Sequence, residues 1–286
     1  MTEGQEFYLA LVLLYLSECL LWLRPGEWAF LSGWPGGWKA DPPRRVGGKR
    51  RIAVAMPLPP LGWGFETYGA RVDVAGVQEA LAAFEKKTLW LRTWSAWVVM
   101  PWFFVVLPLS YRHHGAELPF FLHLAMGWVA MWVATGLFFV AHRRLHPKKR
   151  FDRWQHALLS LLVPQHAIRA AGLVARPLLA AFHPMAVAAA VLKPTPLREV
   201  LGRRWRAVTF PAPGEAPDDA ERAVLAGIIA HAGIDPDSLL APPARGVDAE
   251  AYCPCCFAMF RDATATCREC EGRAVVKFAS TPESSA

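Results

Sequence analysis

Three long apolar runs constrain this chain more than any other feature. Residues 7–23, FYLALVLLYLSECLLWL, carry one charge, Glu18. Residues 93–111, TWSAWVVMPWFFVVLPLSY, and 118–141, LPFFLHLAMGWVAMWVATGLFFVA, carry none. About 20 consecutive apolar residues suffice to cross hydrocarbon as a helix, the one single-chain form that satisfies its own backbone there. The balance of residues agrees. Hydrophobic residues make up 54% and charged residues 19%, with a mean hydropathy of +0.22, against about 25% charged in an average soluble domain. Thirteen tryptophans suit the interfacial belts of membrane proteins. The expected class is therefore a mainly α membrane protein with about three transmembrane helices. The first run reads as a retained span, because Glu3 and Glu6 precede it and Trp22, Arg24 and Pro25 stand where a cleavage site would lie.

Charge then sets the expected sidedness, since short loops rich in Lys and Arg stay in the cytoplasm. Residues 24–88 hold ten Lys/Arg against six Asp/Glu, and residues 142–154 hold six against one. The piece between the second and third runs has only Arg112 and Glu117. This pattern predicts a multi-pass protein of the inner or plasma membrane, with its N-terminus outside and its C-terminus cytoplasmic.

The expected organisation follows from these runs. Residues 1–23 form the N-terminal span. Residues 24–88 form a cytosolic module rich in β-structure, with strands over 28–31, 51–56 and 70–74, and a lead-in helix over 76–88. Residues 89–141 form a transmembrane helical hairpin bent at Pro101 and Pro108. Residues 142–192 comprise a basic collar and interfacial or re-entrant helices. There Pro164, Pro177 and Pro184 interrupt the apolar sequence, and Gln165, Arg169, Arg176 and His183 share one helical face. Residues 193–250 are a cytosolic linker with a helix capped by Asp218 or Asp219. Residues 251–279 carry the cysteines, and 280–286 form a disordered tail.

Five of the six cysteines fall within 252–270, YCPCCFAMFRDATATCREC. Cys253, Cys256, Cys267 and Cys270 make two C-x-x-C turns, and two such turns bring four thiolates around one tetrahedral zinc. In a reducing cytosol a metal is expected in preference to disulfides. At CPCCFAMFRDATATCRECEGRAVVKF the segment resembles the bacterial zinc-ribbon family, with C-P-x-C, a hairpin bearing an aromatic and an Arg, a second C-x-x-C and a Val-rich closing strand. The resemblance covers residues 252–279 and implies structural zinc, not an activity. It departs at Phe257 and Glu271, where glycine commonly follows each knuckle. Cys255 is the extra thiol, read as a spectator or as a sensor through ligand exchange or oxidation. Cys19 reads as a small buried hydrophobe.

Other chemistry is thinly signalled. Glu18 is a possible intramembrane polar site with Arg24 as its neighbour, and Arg169, Arg176 and His183 are possible members of another. His142 and His146 lie at i, i+4, yet His113 and His114 are expected on the opposite side, so a histidine-ligated di-iron centre is not expected. No Gly-rich phosphate loop, nucleophile elbow or paired catalytic carboxylates occur. Residues 252–278 carry four Lys/Arg against three Asp/Glu, which is no basic patch for nucleic acid. The expected function is that of a non-enzymatic integral membrane scaffold or docking protein with a structural zinc ribbon, a subunit or accessory of a membrane complex. Its partners would be membrane lipids and another protein or a second copy. Two alternatives stay open: a membrane enzyme acting on a lipid or isoprenoid around Arg169, Arg176 and His183, and a thiol or metal sensor working through Cys255.

Overall fold

The structure is a computed structural model and describes residues 3–18, 20–23, 27–33, 37–42, 52–55, 62–94, 97–98, 101–145, 175–270 and 272–278. The chain divides into two units, residues 1–191 and 192–286.

In the first unit, helix α1 (Glu3–Glu18) gives way at once to strand β1 (Leu20–Leu23). β1 pairs antiparallel with β4 (Ile52–Ala55), Leu20 opposite Ala55 and Leu23 opposite Ile52. A second sheet has β2 (Trp28–Gly33) between β3 (Gly37–Asp41) and β5 (Gly62–Thr67), all antiparallel. Three successive residues of β2, Ala29, Phe30 and Leu31, are buried, so this sheet is covered on both faces. Ala29 and Leu31 cluster with Leu23. Phe30 lies opposite Phe65 in the register.

Helix α2 (Val74–Trp94) closes the aromatic side. Phe84, 1% exposed, meets Trp63 and Phe65 edge-on with ring centres 5.3 and 5.7 Å away, and Trp38 of β3 lies 5.4 Å from Phe65. Such edge contacts match the positive rim of one ring to the negative face of the next. The start of α2 is set by Asp73, whose carboxylate accepts from the Gly76 N–H and from Arg71 at 2.5 Å. Both contacts hold its carboxyl below the usual range, the backbone bond first.

A return segment at 175–183 runs along the end of β5. Glu66 N–H donates to the Arg176 carbonyl at 3.1 Å, and the Arg176 guanidinium pairs with the Glu66 carboxylate. Arg71 N–H donates to the Ala181 carbonyl, and His183 N–H to the Arg71 carbonyl. The two backbones approach so closely that a Cβ on Gly69 would lie 2.0 Å from the Ala181 carbonyl oxygen, which only glycine permits. Helix α5 (Pro184–Val191) follows and buries Met185, Ala186, Val187 and Ala188.

Between α2 and that segment lie a π-helical turn at Trp102–Val106, helix α3 (Leu107–His114) and helix α4 (Leu118–Leu145). Gly115, at φ 55°, turns α3 into α4. The two helices are clipped by Ser110 Oγ and His123 Nδ1 at 3.0 Å and by Trp102 Nε1 donating to the His123 carbonyl at 3.1 Å. Phe7 of α1 stacks on Tyr111 at 4.4 Å and meets Phe120 edge-on at 5.5 Å.

In the second unit, helix α6 (Pro194–Thr209) lies against α7 (Asp219–His231) and the short α8 (Pro236–Leu240). Leu197, Leu201 and Trp205 on one face of α6 are buried, as are Leu225, Ile228 and Ile229 of α7 and Leu239 of α8. Arg204 pairs with Glu221 at 2.6 Å. Asp218 caps α7 by accepting from Glu221 N–H, and Asp235 caps α8 from Asp237 and Ser238. A ribbon of short strands follows. β6 (Ala251–Tyr252) pairs with β7 (Met259–Phe260) and with β10 (Val276–Lys277), and β8 (Thr266–Cys267) pairs with β9 (Arg273–Ala274).

These observations overturn the membrane reading. Among the described residues no helix is long and apolar enough to cross a membrane. The assignment to transmembrane helices, the multi-pass placement in an inner or plasma membrane and the sidedness built on it are all withdrawn. The first apolar run is divided: α1 has 16 residues, and the run's last part is strand β1. The second is divided among the end of α2, the π turn and an eight-residue α3. The third falls in α4, a helix of 28 residues. Glu18 is the terminal residue of α1, not a mid-span carboxylate. Arg24 and Arg169 lie outside the described residues, as does the interfacial pattern over 151–174. Arg176 and His183 lie in the return segment, and α5 is a buried helix in place of an interfacial one. The strand expected at 70–74 is replaced by a single bridge from Arg71 to Phe182 and the first turn of α2.

Replacing Phe84 by Ala is expected to destabilise the first unit by about 3–5 kcal/mol, the usual effect of emptying a buried aromatic site. Leu89→Ala on the same helix, where the side chain is 63% exposed, should change stability by about 0.5 kcal/mol or less. Denaturant unfolding of the two variants measures the contrast.

Candidate metal centre

The ribbon brings Cys253, Cys256, Cys267 and Cys270 together, with their sulfurs all within 4.8 Å of one another. The Cys256 and Cys267 sulfurs are 3.6 Å apart. Four sulfurs at about 2.3 Å from a common centre would lie about 3.8 Å from each other, so the cluster has the size of a tetrahedral thiolate shell. The four cysteines are close enough to hold a metal ion. Cys253, Cys267 and Cys270 are buried and Cys256 is half-buried, so a charged sulfur shell there is screened from water on most sides.

Local structure explains the convergence. In the first knuckle Phe257 N–H donates to the Cys253 carbonyl at 2.9 Å, and Cys253 N–H donates to the Ala258 carbonyl. This tight turn places Phe257 at φ 64°, the one left-handed non-glycine among the described residues. A side chain in that region is disfavoured by about 1–2 kcal/mol. In the second knuckle Gly272, at φ 76°, donates to the Cys267 carbonyl, so glycine takes the left-handed position one residue later than after the first. Between the knuckles, Asp262 accepts from Thr264 N–H and its hydroxyl, which closes the connecting turn. Tyr252 packs on Phe278 and Phe257, with ring centres 4.9 and 6.1 Å away.

The sulfurs are not electrostatically equivalent. Burial pushes the Cys256 thiol up to about 11. Cys270 is raised further by burial and then by the neighbouring sulfurs, Cys255 first. Burial acts the same way on Cys253, but N–H groups of Cys256 and Cys255 and the thiols of Cys256 and Cys267 outweigh it and hold its pKa below the ordinary thiol value. A metal-free cluster at neutral pH thus combines sulfurs of opposite tendency, and coordination must displace protons from the raised ones.

Helix α6 is the second half of this site. Ala207 packs directly on the cysteine cluster together with Phe260. Arg206 donates from Nε to the Cys255 carbonyl and from Nη1 to the Leu239 carbonyl, each at 2.9 Å. Its guanidinium lies 3.9 Å above the Phe257 ring, a cation–π contact that offsets part of the left-handed strain. Burial lowers the Arg206 pKa, and the sulfurs of Cys255 and Cys256 oppose that shift. From the opposite side, Arg273 of β9 places Nη1 3.0 Å from Cys255 Sγ, donates from Nη2 to the Ala207 carbonyl at 3.3 Å and stands 3.8 Å from Glu215. Cys255 is buried between two guanidinium groups, outside the four-sulfur set.

Sequence reasoning missed Arg206 and Ala207, because residues 193–250 read as a linker with a helix only after Asp218 or Asp219, and it assigned no role to Arg273 within the cysteine segment. A signal was present. Leu197, Leu201 and Trp205 recur every fourth position after Pro194 and Pro196, which is a helix with one apolar face. Of the other candidates, Arg176 and His183 are among the described residues and Arg169 is not. Arg176 pairs with Glu66, and His183 Nδ1 accepts from the Met185 N–H at 3.2 Å at the start of α5. His146 and Cys19 lie outside the described residues. Compared with known protein families, with curated proteins and with solved structures, the chain matches none.

Because the Cys256 and Cys270 thiols are raised, metal uptake should release protons and weaken as pH falls. Metal titration in weak buffer at pH 7 is expected to liberate at least about two protons per ion, read directly by pH-stat. Affinity that does not change with pH would count against thiolate coordination.

Proposed function

We propose that this chain is a non-enzymatic docking protein whose C-terminal unit is held in shape by a structural zinc ion on Cys253, Cys256, Cys267 and Cys270. The observation that carries this reading is the closed sulfur set. Four thiolates fill a tetrahedral shell and leave no position for water or substrate, as in structural zinc sites. Zinc is favoured by the donor chemistry, since it takes four thiolates without any preference of geometry beyond the tetrahedron. The ribbon's strands are two residues each, too short to hold a core alone. Metal binding supplies what such strands lack, with apparent values of about 10–16 kcal/mol in structural zinc peptides.

A partner is supported by the first unit. On α4, Leu118, Phe121, Leu122, Met126, Val129, Trp132 and Val133 are exposed, each at 43% or more. Their spacing of three and four residues puts them along one side of the helix. An apolar stripe of this extent is unusual on a surface that nothing covers. A second copy of this chain is the occupant we infer. The alternative of an enzyme around Arg169, Arg176 and His183 draws no support from the geometry, because Arg176 and His183 serve the junction of β5, α2 and α5.

Elemental analysis of the purified full chain is expected to find one zinc per chain, and Cys256→Ser should lower that content by more than half. A wild-type chain without metal would overturn the zinc reading. For the partner, Leu122→Asp combined with Met126→Lys should reduce the mass of the assembly measured by light scattering. An unchanged mass would remove α4 from the interface.

A further inference from the structure

We propose that zinc at the four cysteines acts as a latch on the helices of the second unit, and that Arg206 is the positioning residue that transmits it. This rests on the structural-zinc reading above and adds a consequence to it: metal occupancy is read out as the packing of α6 and α8.

The argument begins with Cys255. It sits between two ligands, Cys253 and Cys256, so its backbone is fixed when both flanking sulfurs share one ion. The carbonyl of that residue accepts from Arg206 Nε at 2.9 Å. The same guanidinium donates from Nη1 to the carbonyl of Leu239, at the end of α8, also at 2.9 Å. One planar group thus ties the knuckle, the last turn of α6 and the end of α8. Its face lies on Phe257, the residue that the knuckle forces to φ 64°. Arg273 doubles the tie, from Cys255 Sγ to the Ala207 carbonyl of α6.

Loss of the ion would free the knuckle, and two of the three Arg206 contacts would lose their fixed partners. A partly buried guanidinium deprived of its acceptors is poorly tolerated. It must move to find water, and α6 and α8 loosen with it. Binding linkage is reciprocal: if zinc favours the packed helices, the packed helices favour zinc by the same factor, so removing the residue that couples them should weaken zinc. The four sulfurs themselves are untouched by that substitution, which separates a positioning role from ligation.

The test uses the full chain with zinc alone as the probe. Amide exchange is followed by mass spectrometry with zinc bound and after its removal by a chelator. The wild-type protein should exchange about tenfold faster over 201–209 and 236–241 after removal, a factor within the usual range of coupling. Residues 62–67 of the first unit should not change. Arg206→Met should still bind one zinc, about tenfold more weakly by chelator competition, and its exchange over 236–241 should no longer respond to zinc. Arg206→Lys, which keeps charge without the fork, should recover little of the response. Exchange that ignores zinc in the wild type, or wild-type affinity in Arg206→Met, overturns the latch while leaving structural zinc standing. Absence of zinc binding in the wild type overturns both. Should Arg206→Met fail to fold, the wild-type comparison and Arg273→Lys decide: lysine cannot bridge Cys255 and Ala207, and zinc should then bind more weakly.

Discussion

Four sulfurs within 4.8 Å of one another, three of them on buried cysteines and one on a half-buried one, set the terms for the whole C-terminal unit. Thiolates repel at that distance, more strongly in a low-dielectric surround, and neutral thiols attract one another only feebly. The arrangement is nevertheless reached by two turns with well-formed backbone hydrogen bonds, one of them through a left-handed phenylalanine. The four sulfurs are close enough to share a metal ion. The strands around the knuckles, the aromatic pair of Tyr252 and Phe278 and the seating of Ala207 against the cluster all take their positions from it.

The ribbon is also not a free appendage. Zinc-dependent segments of this size are commonly considered as independent modules, yet here the outer wall of the cluster is a helix that precedes it by nearly fifty residues. Arg206 and Arg273 approach Cys255 from two sides and bind its carbonyl and its sulfur. A charge placed so close to a sulfur cluster has two effects. It offsets the negative potential of ionised sulfurs, and it fixes the knuckle relative to the helical core.

The first unit rests on different physics. Its centre is apolar: Phe30 and Phe65 of the sheet and Phe84 of α2 are each at most 1% exposed, and that sheet is covered on both faces. The polar exception is the Glu66–Arg176 pair with its adjoining backbone bonds. That pair aligns the return segment with the end of β5 and so positions α5 against α2. A buried ion pair of this kind contributes little net stability but fixes register. The exposed stripe of α4 gives the same unit a surface that a partner can cover.

The sequence alone determined what depends on near neighbours in the chain. The C-x-x-C spacings define which four thiols can converge, because each turn is built from four consecutive residues. A cap at Asp218 or Asp219 and the three-to-four-residue period after it define α7, with the structure placing the cap at Asp218. The Gly- and Pro-rich stretch after residue 24 marks a β-rich region, although β1, β3 and β5 escaped it. What the tertiary structure decided was how apolar sequence is used. An apolar run such as FYLALVLLYLSECLLWL is consistent with a span, a core helix or a buried strand, and periodicity cannot distinguish them. Only the pairing of Leu20–Leu23 with Ile52–Ala55 shows that its end is strand. The contacts of Arg206 and Arg273 were decided in the same way, since both reach across long sequence separations, to a carbonyl and a sulfur that no local pattern could assign to them.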